Sequence, residues 1–388
     1  MFRDLSLYIH YPFCLSKCPY CDFNSYRIAN VDLDEFLKAY LEEIEYYSNI
    51  LPGRTVNTIF FGGGTPSLMP VNFLEAIMEK IYSRFRVDKD AEISLEANPT
   101  SCEINKFREF RLMGINRLSI GVQSLEEKRL KFLGRIHSSS DVLRAIEIAR
   151  LCFSGSYSID LIYAVPGQKI EEWLMELKTA LELSPGHMSL YQLTIEPGTE
   201  FSRKNIETAD EYTAAEMYKV TNEFLESRGM YLYEVSNYAA SGYRCRHNLN
   251  YWNSGEWLGI GAGAHSRLCF QDEFVNGYRP RISVENIKNF TKWWENTMKF
   301  GRGCRILKNL SREESIEEML LMGLRLRDGV LVDNVKKYIE LHSGSIVDIL
   351  NDNYRILAEK KYIEVSGDNV RIPLEHFCIL ESIVERII

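Results

Sequence analysis

LSLYIHYPFCLSKCPYCDF, residues Leu5 to Phe23, joins two patterns that together point to the architecture. Leu5–Pro12 is a short run of apolar, aromatic and β-branched residues closed by proline, which reads as a strand. Cys14, Cys18 and Cys21 follow at once, spaced C-x3-C-x2-C in a turn-rich loop. In barrels of alternating strands and helices, the chemistry sits in such loops, at the C-terminal ends of the strands. Three thiols are an awkward number. A disulfide uses two, and a structural zinc takes four ligands at tetrahedral geometry. His10 is the nearby fourth candidate, but it lies inside the strand and would have to turn back. Thiolates also suit iron–sulfur clusters, and three of them on a four-iron cubane leave one iron open. Three unrelated buried thiols are the remaining reading.

The strand pattern recurs downstream at Thr58–Gly64, Glu92–Pro99, Arg117–Ser124, Tyr157–Pro166 and His187–Ile195. Helical periodicity fills Leu33–Tyr47, Val71–Phe85 and Ser140–Leu151, the last with Ser140 and Asp141 offering an N-cap. Strands alternating with helices imply βαβ units and a parallel sheet. The expected fold is therefore α/β, a partial, open (β/α)6 TIM-like barrel over residues 1–200. Residues 201–310 read as an extension of the sheet: a helix over Asp210–Arg228, strands and loops over Tyr231–Ala239, His247–Trp252 and Trp257–Ser266, and a helix over Val284–Met298. Residues 311–388 carry helical patterns at Ser315–Leu326, Val332–His342 and Val347–Lys361, then two strand-like runs around a turn in Tyr362–Pro373, which suggests a small winged-helix-like domain.

Charge narrows the function. The chain holds 46 Lys and Arg against 54 Asp and Glu, a net charge of −8, which argues against a general binder of nucleic acid or anionic membrane. Domains of the winged-helix kind often bind DNA, but residues 311–388 hold 10 Lys and Arg against 15 Asp and Glu, so a packing or partner-docking role is expected instead. No charged segment followed by an apolar one opens the chain, and no apolar run approaches the roughly 20 residues of a membrane span. The expectation is a cytoplasmic protein with no transmembrane segment and with reduced thiols. Cys102, Cys152, Cys245, Cys269, Cys304 and Cys378 are scattered, and read as small buried hydrophobes.

Three other features carry chemistry. GGGTP, Gly62–Pro66, follows a strand; glycines there permit unusual φ and a close backbone approach, although a tight turn explains them equally. Glu96, Gln123 and Asp160 sit in or at the ends of apolar strands, where a buried polar group needs a partner or a ligand. Arg135, in LGRIHS, is either a surface residue or part of the same set.

C-x3-C-x2-C after the first strand of a partial barrel resembles the radical S-adenosylmethionine (SAM) superfamily. The resemblance implies that Cys14, Cys18 and Cys21 hold a [4Fe–4S] cluster, that the amino and carboxylate groups of SAM chelate the fourth iron, and that Tyr20 lies against the adenine. Within that superfamily the chain is similar, over nearly its whole length, to the oxygen-independent coproporphyrinogen III oxidase-like family. The matching segments include YIHYPFC (8–14), GGGTPS (62–67), LEANP (95–99), LSIGVQS (118–124), DLIYAVPGQ (160–168), EPGT (196–199) and GIGAGAHS (259–266). This similarity implies that Tyr8, Tyr20, Gly63, Gly64, Thr65, Glu96, Gln123, Arg135 and Asp160 bind SAM.

The family holds both porphyrin-making oxidases and haem chaperones. The oxidases carry a further cysteine two residues beyond the third, where this chain has Phe23, and a longer segment before the cysteines. The haem chaperones carry H-N-x-x-Y-W, present here as HNLNYW, His247–Trp252. Imidazole is a common axial ligand of haem iron and flanking aromatics can lie against a porphyrin, so His247 is the candidate haem ligand, with Cys245 as a second. A satisfied polar histidine beside core aromatics is the bland reading. The resemblance thus implies a haem chaperone that keeps the cluster and SAM and passes haem to an acceptor protein, for instance a membrane haemoprotein. Oxidative decarboxylation of coproporphyrinogen III is the alternative, and a radical methyltransferase of the same family is a third class.

Overall fold

The structure is a computed structural model, and it describes residues 4–28, 31–184, 186–271 and 273–387. Six strands, β1 (Asp4–Tyr11), β2 (Thr55–Gly63), β3 (Arg86–Ala97), β4 (Arg117–Gln123), β5 (Tyr157–Tyr163) and β6 (His187–Gln192), pair in chain order, all parallel. Helices follow them: α1 (Leu33–Ile50), α2 (Val71–Arg84), α3 (Ile104–Leu112), α4 (Ser139–Phe153), α5 (Ile170–Leu183) and, after β6, α6 (Glu211–Glu226). This is the expected (β/α)6 arrangement. The sheet grows at both edges. β7 (Tyr231–Glu234) and β8 (Asn237–Ala239) extend it antiparallel beyond β6. On the other side β9 (Trp257–Ile260) pairs parallel with β1, and β10 (His265–Leu268), β11 (Ile282–Asn286) and β12 (Cys304–Asn309) continue antiparallel. The order β12-β11-β10-β9-β1-β2-β3-β4-β5-β6-β8-β7 gives one open sheet of 12 strands.

Alternation along the barrel strands explains where the core sits. Successive side chains in a strand point to opposite faces. Ile93 and Leu95 of β3, Leu118, Ile120 and Val122 of β4, and Ile159 and Leu161 of β5 are buried in one cluster with Phe73, Leu74 and Ile77 of α2 and Phe107 and Phe110 of α3. The opposite positions on those strands point into the barrel, and they are largely polar.

Several local readings need correction. The N-cap of α4 is Ser138 rather than Ser140, and Asp141 is the reciprocal partner of a capping box. HNLNYW, read as strand and loop, is helix α7 (Arg246–Trp252). The stretch Val284–Met298 is split: Ile282–Asn286 pairs with both neighbouring strands, and the helix α8 (Phe290–Phe300) starts at an Asn289 cap that accepts from the Lys292 amide. Val332–His342 is helical only over Val332–Val335, because Ile339 instead forms a bridge with Tyr278. Val347–Lys361 is helical only over Asp352–Glu359 after a single tight turn at Ile346–Ile349, with Asn351 as cap. Of the scattered cysteines, Cys102, Cys245 and Cys269 are buried as expected, whereas Cys378 is exposed.

The last part of the chain opens with α9 (Arg312–Gly323), started by a Ser311–Glu314 capping box, and holds a three-stranded antiparallel sheet, Val330–Leu331, Glu364–Val365 and Asn369–Arg371. Its buried residues, among them Met319, Leu320, Val335, Tyr354, Leu357 and Val370, are continuous with the main core. No helix among the described residues is long and apolar enough to cross a membrane.

Candidate functional site

The polar inner face of the barrel surrounds a cavity of about 500 Å³. Ser94, Glu96 and Asn98 of β3 and the turn after it, Ser119, Gly121 and Gln123 of β4, Ser158 and Asp160 of β5, and His187, Ser189 and Tyr191 of β6 all line it. Each set is spaced by two, as one face of a strand requires. Small TIM-like barrels fill this space with bulky branched residues; small and polar ones leave it open. All fourteen residues named from the sequence as cluster, SAM or haem ligands, Cys245 included, line this one cavity.

The cysteine loop closes one wall. Cys14 stands in a two-residue strand, Phe13–Cys14, paired with Tyr26–Arg27. Lys17 Nζ donates to the carbonyls of Phe23 (3.0 Å) and Ser25 (3.2 Å), and Asn24 Nδ2 donates to those of Ala262 and Lys288 (2.9 Å each). The Phe201 amide donates to the Pro19 carbonyl (2.9 Å), and Tyr20 packs on a small apolar cluster with Phe201, Leu133, Ile162 and Leu193. Thr65 Oγ1 donates to Cys14 Sγ (3.4 Å) and Arg135 Nη1 to Cys18 Sγ (3.3 Å). Burial pushes the Cys14 and Cys21 thiols up from the ordinary cysteine value; a metal or cluster that takes thiolates offsets that cost. Phe23 lies at the cavity, 58% exposed. His10, the possible fourth zinc ligand, is committed elsewhere. Its Nε2 donates to the Asn24 carbonyl (2.9 Å), so its Nδ1 accepts from the Tyr8 hydroxyl (2.9 Å). Among the described residues no three His, Cys, Asp or Glu side chains gather as ligands of one ion. A cubane fits this spread, since each thiolate meets its own iron.

The glycine turn is shaped by what lies beneath it. Gly63 has φ +114°, and a Cβ there would stand 2.5 Å from the His10 ring. Its amide donates to Glu96 Oε2 (3.0 Å). Burial raises the Glu96 carboxyl to about 7, the Gly63 amide opposes this and the nearby Asp160 adds to it. Asp160 is raised too, first by burial, against hydroxyls of Ser189, Ser119 and Ser158; Ser119 Oγ donates to Oδ2 at 2.8 Å and Ser158 Oγ to Oδ1 at 3.1 Å. Two interacting carboxyls with raised pKa values in one cavity mark a site suited to a cation or to hydroxyl donors. Gln123 ends β4 in the left-handed region, φ +68°, an uncommon conformation for a side chain-bearing residue and one found near sites. Arg135 is not a surface residue. Beyond Cys18 it donates to the Gly121 carbonyl (3.0 Å) and to Asn98 Oδ1.

His247 enters from α7. It is 1% exposed, and both ring nitrogens are occupied: Nδ1 by Thr58 Oγ1 (2.7 Å) and Nε2 by the Tyr251 hydroxyl (2.8 Å). Its ring stacks on Phe60, centroids 5.1 Å apart. Burial lowers its pKa to about 3, so it is neutral. No local side chain caps α7. Glu92 of β3 does so from a distance, accepting from the amides of Arg246 (3.1 Å) and His247 (3.0 Å) and from Cys245 Sγ (3.4 Å). Cys245 is therefore bonded to a carboxylate and raised by burial, and is no free ligand. Trp252, the last residue of the motif, lines a different, small pocket against α9.

Sequence reasoning missed Asn98, Ser119, Ser158, His187, Ser189 and Tyr191 on the cavity wall. A period-two reading of polar residues within the strands finds them. Thr58 and Glu92, which hold His247 and its helix, have no such signal, because their partners are far away in the chain.

Residues 8–180 match the radical SAM superfamily, and residues 310–375 match the HemN C-terminal domain. A protein of Escherichia coli K12 named heme chaperone HemW is 42% identical over 269 residues, 69% of this chain and 71% of that one. One of the same name from Bacillus subtilis 168 is 33% identical over 370 residues, 94% of each chain. Among solved structures, coproporphyrinogen III oxidase (HemN) of Escherichia coli superposes with a TM-score of 0.81 over 99% of this chain and 90% of its own; at 21% identity that likeness shows the fold.

Proposed function

The chain belongs to the family of the proteins named heme chaperone HemW, within the radical SAM superfamily, and from that premise we propose that it carries haem beside a [4Fe–4S] cluster and SAM. The observation that carries the reading is that His247 and the three thiols, distant in sequence, line one cavity. In this reading Cys14, Cys18 and Cys21 hold the cluster. Tyr8, Tyr20, Gly63, Gly64, Thr65, Glu96, Gln123, Arg135 and Asp160 hold SAM, and His247 meets haem iron. When bound, the cluster and SAM together supply reductive one-electron chemistry at the open iron. The chain's own residues prepare the place. Arg135 Nη1 donates to Cys18 Sγ at 3.3 Å and holds that sulfur at the cavity wall. Glu96 and Asp160 are held by donors and offer acceptor oxygens to hydroxyls of a nucleoside. The neutral His247 imidazole keeps a lone pair for iron without paying to lose a proton. Haem then passes to an acceptor protein in the cytoplasm or at a membrane. The segments 1–200, 201–310 and 311–388 serve as cluster barrel, haem-motif extension and partner-docking domain.

The test has two arms. Haem titrated into the cluster-loaded protein should give a Soret band that weakens and shifts in His247→Ala; an unchanged band and affinity remove His247 from the site. Coproporphyrinogen III, SAM and a low-potential reductant supplied anaerobically should yield no protoporphyrinogen, and its appearance would establish the oxidase in place of the chaperone.

A further inference from the structure

The hydrogen bonds around His247 fix its tautomer. Thr58 Oγ1 gives its single proton to Ser6 Oγ (2.8 Å), so toward His247 Nδ1 it can only accept. Nδ1 therefore carries the imidazole proton, and Nε2 carries the lone pair. That lone pair receives the Tyr251 hydroxyl at 2.8 Å. The geometry is local to one helix face, since residues four apart on α7 stack one above the other. The two rings meet edge to face, centroids 4.8 Å apart. Tyr251 turns its other side to Trp257, also edge to face at 4.8 Å, and borders the cavity of about 500 Å³. His247 is the deeper of the two, fixed between Phe60 and Thr58.

We infer that Tyr251 is a latch on His247: its hydroxyl covers the one nitrogen able to bind a metal and must leave before that nitrogen can ligate. This rests on the reading of His247 as the haem ligand, and it adds how that ligand is kept. His247 is tied to Thr58 and stacked on Phe60, while the only hydrogen bond the Tyr251 hydroxyl makes among the described residues is to His247, at the edge of the cavity. A free metal ion arriving at the closed site meets a phenol rather than an imidazole. A flat cargo that enters the cavity on the Tyr251 side can displace the phenol ring and gain the iron–nitrogen bond in the same event. The latch thus makes ligation depend on occupancy of the cavity, a specificity device built from one hydroxyl. Tyr251 is a positioning residue in this scheme.

Tyr251→Phe removes the hydroxyl and keeps the ring. The first measurement uses the full-length protein without haem: the 15N chemical shift of His247 Nε2 at fixed pH. It should move in Tyr251→Phe toward the value of an uncovered lone pair, while Nδ1 stays protonated; an unchanged Nε2 shift overturns the latch. The second is a titration with ferric haem of wild type, Tyr251→Phe, His247→Ala and the double variant. Loss of one competing hydrogen bond should tighten binding about tenfold in Tyr251→Phe, and the gain should vanish in the double variant. Equal affinities of wild type and Tyr251→Phe refute the latch while leaving haem binding intact. A Tyr251→Phe gain that survives in the double variant also refutes it. If Nε2 responds to Tyr251→Phe but no variant binds haem, the latch stands on the imidazole and the haem reading falls.

Discussion

The helix that presents His247 should depend on a residue outside it. Glu92→Gln is the perturbation. Helix α7 spans Arg246–Trp252, too short to hold itself in water. Its N-terminal amides are capped by Glu92, whose side chain is 10% exposed and which also stands 3.8 Å from Arg117 Nη1. The carboxylate receives two backbone N–H groups, the Cys245 thiol and the field of a guanidinium. Glutamine keeps one acceptor oxygen. Its NH2 then faces a donor that cannot be satisfied, and Arg117 loses its counter-charge. A hydrogen bond to a charged group contributes about 1.5–3 kcal/mol net, and a stranded buried donor costs a similar amount. A net loss of about 2–3 kcal/mol follows, or a roughly 30- to 150-fold rise in the opening of α7. Native-state hydrogen exchange reads this directly at the amides of Leu249 and Asn253, which bond to the carbonyls of Cys245 and Leu249. Both should exchange faster by that factor, while Ile120 and Val122 in β4 change less. Haem affinity should fall with it. Unchanged exchange at Leu249 and Asn253 in Glu92→Gln would refute the claim that a distant carboxylate holds this helix.

Other predictions concern the rest of the site and its support. Cys14→Ser, Cys18→Ser and Cys21→Ser should each abolish the [4Fe–4S] absorbance after anaerobic reconstitution, and full iron content in all three would reject the cluster. Gly63→Ala must place a Cβ on the His10 ring at φ +114°, and should lower stability by about 3 kcal/mol in urea unfolding; an unaltered midpoint would show that the ring can yield. Glu43 is buried behind β1, accepting from the amides of Gly261 and Gly303, from Asn286 Nδ2 and from Trp293 Nε1. Burial raises its pKa to about 7 despite those donors. Its folded value lies above the unfolded one, so the fold binds this proton more tightly. Stability should therefore decline as pH rises from about 4.5 to about 7. Urea midpoints measured across that window should fall for wild type relative to Glu43→Gln, and parallel curves would contradict the assignment.

The strand-and-cysteine stretch at Leu5–Phe23 carried much of the reading. Its apolar run became β1, and the five later runs became β2–β6 in the order read. The helices with strong periodicity, α1, α2 and α4, fell where their apolar spacing put them. Errors gathered where tertiary partners overrode local pattern. Val284 obeys its neighbours β10 and β12 and not the helical spacing of its own segment. HNLNYW lacks any local cap, so nothing in it announces a helix; its cap is Glu92, more than a hundred residues earlier.

The sequence by itself determined the period-two and helical patterns, the count of three thiols, and hence a parallel α/β barrel with those thiols gathered in the loop after its first strand. These depend on spacing along one chain, and spacing is what a sequence records. Only the tertiary structure decided that His10 is spent on Tyr8 and Asn24, that Arg135 turns inward to Cys18, and that His247 sits covered by Tyr251. A hydrogen bond is a matter of a few tenths of an ångström and a direction, and side chains that share no periodicity come within that range only after the whole sheet has closed around them.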